Sequence, residues 1–138
     1  MFIKIHPIET QEIKQYIKLS NIIFINDNFL LKNNLTLYDM LPYTDILLSD
    51  YSSIILDYLL LKKPIFAVSN KEIKYDRNID NEIYQDIFNP KNTITNFQKL
   101  NKLFKNELDI EIPKKNIVKK YHKFNSGSSK KIIQYLEL

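Results

Sequence analysis

Short, predominantly apolar runs alternate with stretches of helical spacing along this chain, and that alternation constrains the fold more than any other feature. Phe2-Ile3-Lys4-Ile5, Ile22-Ile23-Phe24-Ile25, Ile46-Leu47-Leu48 and Pro64-Ile65-Phe66-Ala67-Val68 are each too short for a helix. A strand with apolar residues on both faces must be covered on both, which is the situation inside a parallel sheet. Between these runs the spacing predicts helices over 9–19, with Thr10 as a cap, over 35–41, stopped at Pro42, and over 53–62. Right-handed crossovers then give an α/β fold, a Rossmann-like parallel sheet with helices on both faces. Further along, 69–93 predicts a long polar loop with short helical pieces. A helix follows over 95–104, with Phe97, Leu100, Leu103 and Phe104 on one face. After Pro113 come a basic segment and a terminal helix from Ser126 or Ser128 to Leu136.

At 138 residues the chain has the length of a single domain, 1–138, able to bury a core. Composition excludes several kinds of chemistry. Glycine occurs once, at Gly127, so no glycine-rich phosphate loop can be built, and Ser hydroxyls, backbone N–H groups, His or Lys must hold any phosphate. Cysteine is absent and His6 and His122 are the only histidines, which removes thiolate chemistry and leaves no metal-ligand cluster to expect. The net charge of +4 is spread along the sequence, so no nucleic-acid partner is expected. No signal-peptide pattern opens the chain, and its longest apolar run, 54–61, is interrupted by Asp57. A cytoplasmic chain is expected, at most peripheral on the inner face of the cell membrane.

In such sheets ligands bind beyond the carboxyl ends of the strands. His6-Pro7, Asn26-Asp27, Asp50-Tyr51-Ser52-Ser53 and Ser69-Asn70 all stand at predicted strand ends. Ser52 and Ser53 lie where a strand hands over to a helix N-terminus, a place that favours an anion such as phosphate; an ordinary helix cap is the plainer reading. Asp57 lies four residues past Ser53 on the same helix face, amid Ile54, Ile55, Leu56, Tyr58, Leu59 and Leu60. A carboxylate in so apolar a helix needs a partner or a polar cavity, or else an exposed stripe. His6, held extended by Pro7, would point across the rim toward a phosphate, or be structural. Asp50 reads as fixing the turn with Tyr51, and His122 as a surface residue.

Taken together, Ile5-His6-Pro7, Tyr43-Thr44-Asp45-Ile46-Leu47-Leu48-Ser49-Asp50-Tyr51-Ser52-Ser53, Asp57-Tyr58, Lys63-Pro64-Ile65 and Phe124-Asn125-Ser126-Gly127-Ser128-Ser129 closely resemble the CDP-glycerol glycerophosphotransferase family. The resemblance runs in the same order over nearly the whole chain. It implies the C-terminal, nucleotide-binding half of a two-domain GT-B fold, truncated at its N-terminus and depending on a missing N-terminal half-domain or on self-association. By motif, Ser52 and Ser53 would contact the diphosphate of a CDP-activated donor, Asp57 its ribose, and His6 the phosphate being transferred. The acceptor would be the hydroxyl of a polyol phosphate or glycan in teichoic-acid-type surface polymer synthesis, with no cofactor and no obligatory metal. One departure is Asn89-Pro90-Lys91-Asn92, which stands where the family tends to have Pro-Gly-Pro, at the base-binding edge. A GT-B glycosyltransferase using a nucleotide-sugar, and a non-catalytic docking module, are the competing readings.

Overall fold

The structure, a computed structural model, describes residues 1–4, 20–50, 52–68, 85, 87–123 and 126–136. The predicted helix over 9–19, and His6, Pro7 and Tyr51, lie outside the described residues. Two compact units, 1–43 and 44–138, are present.

In the first unit β1 (Phe2–Lys4) pairs in parallel with β2 (Ile23–Ile25), in register Phe2↔Ile23 and Lys4↔Ile25. Asn26, at the end of β2 as predicted, also caps a helix that the sequence did not announce, α1 (Asp27–Lys32), its side-chain oxygen accepting from the Phe29 N–H at 2.8 Å. A polar Asn-Asp-Asn run satisfies the first-turn amides of a helix as readily as it makes a turn. The helix predicted over 35–41 divides into α2 (Leu37–Met40) and a 3₁₀ turn, Leu41–Tyr43. Its start is a capping box: the Thr36 N–H donates to the Asp39 carboxylate at 2.7 Å and the Asp39 N–H returns a bond to the Thr36 hydroxyl at 3.3 Å. The Thr36 side chain, then its backbone N–H, hold the Asp39 carboxyl below the usual carboxylate range.

The second unit is built on a three-stranded parallel sheet, in the order β3 (Leu47–Ser49), β4 (Ile65–Val68), β5 (Thr93–Ile94). Its central strand is also its most buried: Ile65, Phe66 and Ala67 are all in the core. Phe66, Ile94 and Leu103 form the apolar centre, with Ile46, Leu48, Leu100, Leu108 and Ile110 packed against it. A helix, α3 (Ile54–Tyr58), joins β3 to β4 and tightens into a 3₁₀ turn, Leu59–Leu61. The two-residue β5 was not foreseen, because a two-residue strand is too short to show a period in sequence.

Beyond β5, α4 (Phe97–Phe104) starts at Asn96, whose side chain accepts from the Lys99 N–H at 2.9 Å. Leu103 is buried and Leu100 half-buried, whereas Phe97 and Phe104 are exposed, against the expectation of one four-residue apolar face. Phe97 lies roughly a third of a turn round the helix from Leu103, outside the stripe the sheet covers. The basic segment holds an unforeseen helix, α5 (Lys115–Tyr121), and α6 (Ser128–Tyr135) follows Gly127, whose φ of 70° is left-handed.

The architecture is thus mixed α/β with every strand pair parallel and six α-helices among the described residues, consistent with a Rossmann-like half-domain. Phe66 carries the most central burial in the second unit. Truncation with Phe66→Ala is expected to lower stability by about 3–5 kcal/mol, read from the urea midpoint, whereas Phe97→Ala on the exposed side of α4 is expected to change it by less than about 0.5 kcal/mol.

Candidate functional site

The corner between β3 and α3 is set by what the helix must bury. Ile55 and Tyr58 face the core, and Leu59 follows them inward. Those choices leave Ser52 and Ser53 exposed at the carboxyl end of β3, Asp50 exposed before them, and Asp57 half-buried. Ser53 already has helical dihedrals, φ −62° and ψ −18°, so Ser53 and Asp57 fall on one side of the coil by the four-residue helical repeat. The structure therefore places Ser53 and Asp57 on one side of α3, about one turn apart, with Ser52 exposed just ahead of them.

An ordinary cap was the plainer reading of the Ser52–Ser53 pair, and Ser53, which holds the N-cap position, does not act as one. Its hydroxyl makes no capping hydrogen bond. The cause lies in the backbone, because a capping side chain typically reaches the first-turn amides from extended dihedrals, and Ser53 is helical. Instead, the Ile55 and Leu56 N–H groups donate to the Ser52 and Ser53 carbonyls at 3.3 and 3.0 Å. The helix is also shorter than the predicted 53–62: five α-helical residues, then the 3₁₀ turn. So short an element carries less of the aligned dipole on which anion attraction depends. Two first-turn amides that a capping side chain would otherwise engage donate to backbone carbonyls instead.

At the opposite end of α3 the side chains are locked together. Tyr58 is fully buried, and its hydroxyl lies 2.8 Å from the Thr44 hydroxyl. Lys63, just ahead of β4, donates to the Thr44 carbonyl. Because β3 and β4 are parallel, Thr44 and Lys63 sit at the same edge of the sheet, and the Leu47 N–H closes that edge onto the Pro64 carbonyl at 3.0 Å. Burial pushes the Tyr58 phenol above its ordinary value, the Thr44 bond opposes the rise, and the Asp45 carboxylate adds to it.

The segment at Asn89-Pro90-Lys91-Asn92 forms a turn closed by a side chain. Asn89 Oδ1 accepts from the Lys91 and Asn92 N–H groups at 2.8 and 3.1 Å, and the Thr93 hydroxyl donates to the Asn89 carbonyl at 2.9 Å. An Asn that folds back on its own backbone makes such a turn without a glycine. Lys91 is tied to Glu111 at 2.7 Å, and Lys99 donates to the Thr93 carbonyl at 2.7 Å, so this edge is held on both sides of β5.

His122, read from sequence as a surface residue, is half-buried, with Nε2 2.6 Å from the Leu56 carbonyl oxygen. The two residues stand 66 positions apart, so no local pattern could have joined them. Among the described residues, no group of three or more His, Cys, Asp or Glu side chains is arranged to hold a metal ion, and no helix is long and apolar enough to cross a membrane.

Residues 1–138 match the family model described as CDP-glycerol:poly(glycerophosphate) glycerophosphotransferase. No curated protein and no solved structure matches the chain.

The Tyr58 environment has a measurable consequence. With the phenol raised in the folded state, its contribution to stability is complete below the ordinary tyrosine value of about 10 and is lost as pH rises past it. Alkaline unfolding is expected to steepen above that pH in the unmodified chain and to flatten in Tyr58→Phe, with tyrosinate absorbance reporting the missing late-ionising group.

Proposed function

Since the chain belongs to the CDP-glycerol:poly(glycerophosphate) glycerophosphotransferase family, we propose that it supplies the donor-nucleotide site of a transferase that moves glycerol phosphate from a CDP-activated donor to an acceptor hydroxyl in surface-polymer synthesis. Ser52 and Ser53 bind the diphosphate, Asp57 accepts hydrogen bonds from the ribose hydroxyls, and His6 stands at the phosphate being transferred. The observation that carries this reading is the exposed Ser52–Ser53 pair at the start of α3, with the half-buried Asp57 one turn on along the side of Ser53 and the Ser53 hydroxyl not used as a cap. Hydroxyls committed to capping would be poor ligands; one released from it can donate to a phosphate oxygen.

In the proposed reaction the acceptor oxygen attacks the β-phosphorus and forms the new O–P bond. The bond from that phosphorus to the bridging oxygen breaks, and its electron pair leaves with CMP. The acceptor proton passes to a base or to solvent, and His6, protonated, offsets the charge building on the departing phosphate. Positioning and charge stabilisation are the main contributions a protein makes to phosphoryl transfer.

Thermal stabilisation by nucleotides tests the assignment. At a hundred times its Kd, CDP adds about 2.7 kcal/mol to the chain that binds it. CDP and CDP-glycerol are expected to raise Tm, with UDP and GDP weaker. Ser53→Ala and Asp57→Asn are expected to weaken CDP by about tenfold each, the loss of one or two hydrogen bonds. Unchanged CDP stabilisation in both variants, or no CDP effect on the parent chain, overturns the site; a preference for UDP points to sugar transfer instead.

A further inference from the structure

We propose that His122 is a positioning residue for the donor site: by holding the Leu56 carbonyl it fixes the peptide that carries Asp57, and so sets the direction of the carboxylate. The inference rests on the donor-site reading of Asp57 for its functional meaning, though not for its structural part. Three observations carry it. His122 Nε2 lies 2.6 Å from the Leu56 oxygen in a partly buried contact. The Leu56 carbonyl and the Asp57 N–H belong to one planar peptide unit, so an oxygen held from outside restrains the Asp57 Cα directly. And α3 is only five residues long, with the Leu59 N–H the internal donor to the Leu56 carbonyl, so His122 adds to that oxygen a restraint from outside a marginal helix.

The other end of the contact is itself anchored. The His122 N–H donates to the Val118 carbonyl at 2.8 Å, closing the C-terminus of α5, so the imidazole extends from a fixed backbone. The chemistry of the contact is also determined. A carbonyl oxygen only accepts, so the ring nitrogen facing it must carry a hydrogen. In neutral His122 that places the proton on Nε2 and leaves Nδ1 bare; the imidazolium donates from the same atom. The tie therefore persists in both charge states.

Three measurements test this, the first on the unmodified chain without nucleotide. Long-range ¹⁵N–¹H spectra at a pH where His122 is neutral are expected to show Nε2 protonated; a proton on Nδ1 overturns the proposal. Second, the ¹³C resonance of the Asp57 carboxyl is expected to move in His122→Phe, which keeps a ring and loses the donor, and to return most of the way in His122→Gln, which restores an N–H. An unmoved resonance, or equal displacement by both variants, overturns it. Third, His122→Phe is expected to weaken CDP binding by about tenfold and His122→Gln by less than about threefold, as the loss or retention of one hydrogen bond predicts. In an Asp57→Asn background His122→Phe is expected to add nothing, because it acts through that carboxylate; additive losses overturn the positioning role. If the parent chain binds no CDP, the donor-site reading fails by itself, and the two NMR measurements still decide whether His122 sets Asp57.

Discussion

Burying a tyrosine obliges the protein to find a partner for its hydroxyl, and most of the second unit follows from where that partner is. Tyr58 has no exposed surface and meets the Thr44 hydroxyl at 2.8 Å. An orphaned phenol there would cost about 1–3 kcal/mol, a large share of a domain's net stability. The contact joins the end of α3 to the entry of β3, and Lys63 ties the entry of β4 to the same residue. With one end of the connection locked there, α3 leads back to the exposed serine corner at the carboxyl end of β3, and the His122 contact restrains it between the two.

This divides the segment 44–63 into two physical parts. Thr44, Tyr58 and Lys63 form the lock at the amino-terminal edge of the sheet, while Ser52 and Ser53 stand at the carboxyl end of β3, with Asp57 one helical turn on. The same short helix connects the two. Its C-terminal side tightens into a 3₁₀ turn and ends at Lys62, whose φ of 54° is left-handed. A lysine in that conformation is strained where a glycine would not be, and the chain adopts it to re-enter the sheet at Pro64. Economy of glycine recurs at 89–93, where the Asn89 side chain closes a turn instead.

Much of the framework was legible beforehand. The strands around Phe2, Ile23, Leu47 and Ile65 lie within the apolar runs that predicted them, because a strand covered on both faces leaves a continuous apolar signature. Capped elements were harder. Asn26 marked only a strand end and opens α1, since an Asn that ends a strand can equally cap a helix. Phe97 and Phe104 looked like core and are exposed, because helical spacing states which residues share a side and not how wide a stripe the neighbours cover. At the corner after β3, the spacing of Ser53 and Asp57 was legible because it is a helical repeat, while the absence of a cap at Ser53 depends on backbone dihedrals that residue types do not reveal.

What the sequence determined alone is what depends on neighbours along the chain: the apolar runs, the parallel pairing they require, and the four-residue spacing that puts Asp57 beneath Ser53. What only the tertiary structure decided is what depends on residues far apart in sequence and close in space. The Thr44–Tyr58–Lys63 lock and the His122 contact to Leu56 are of that kind. A hydrogen bond across 66 residues leaves no periodic trace, since its two partners meet only after burial has brought their elements together.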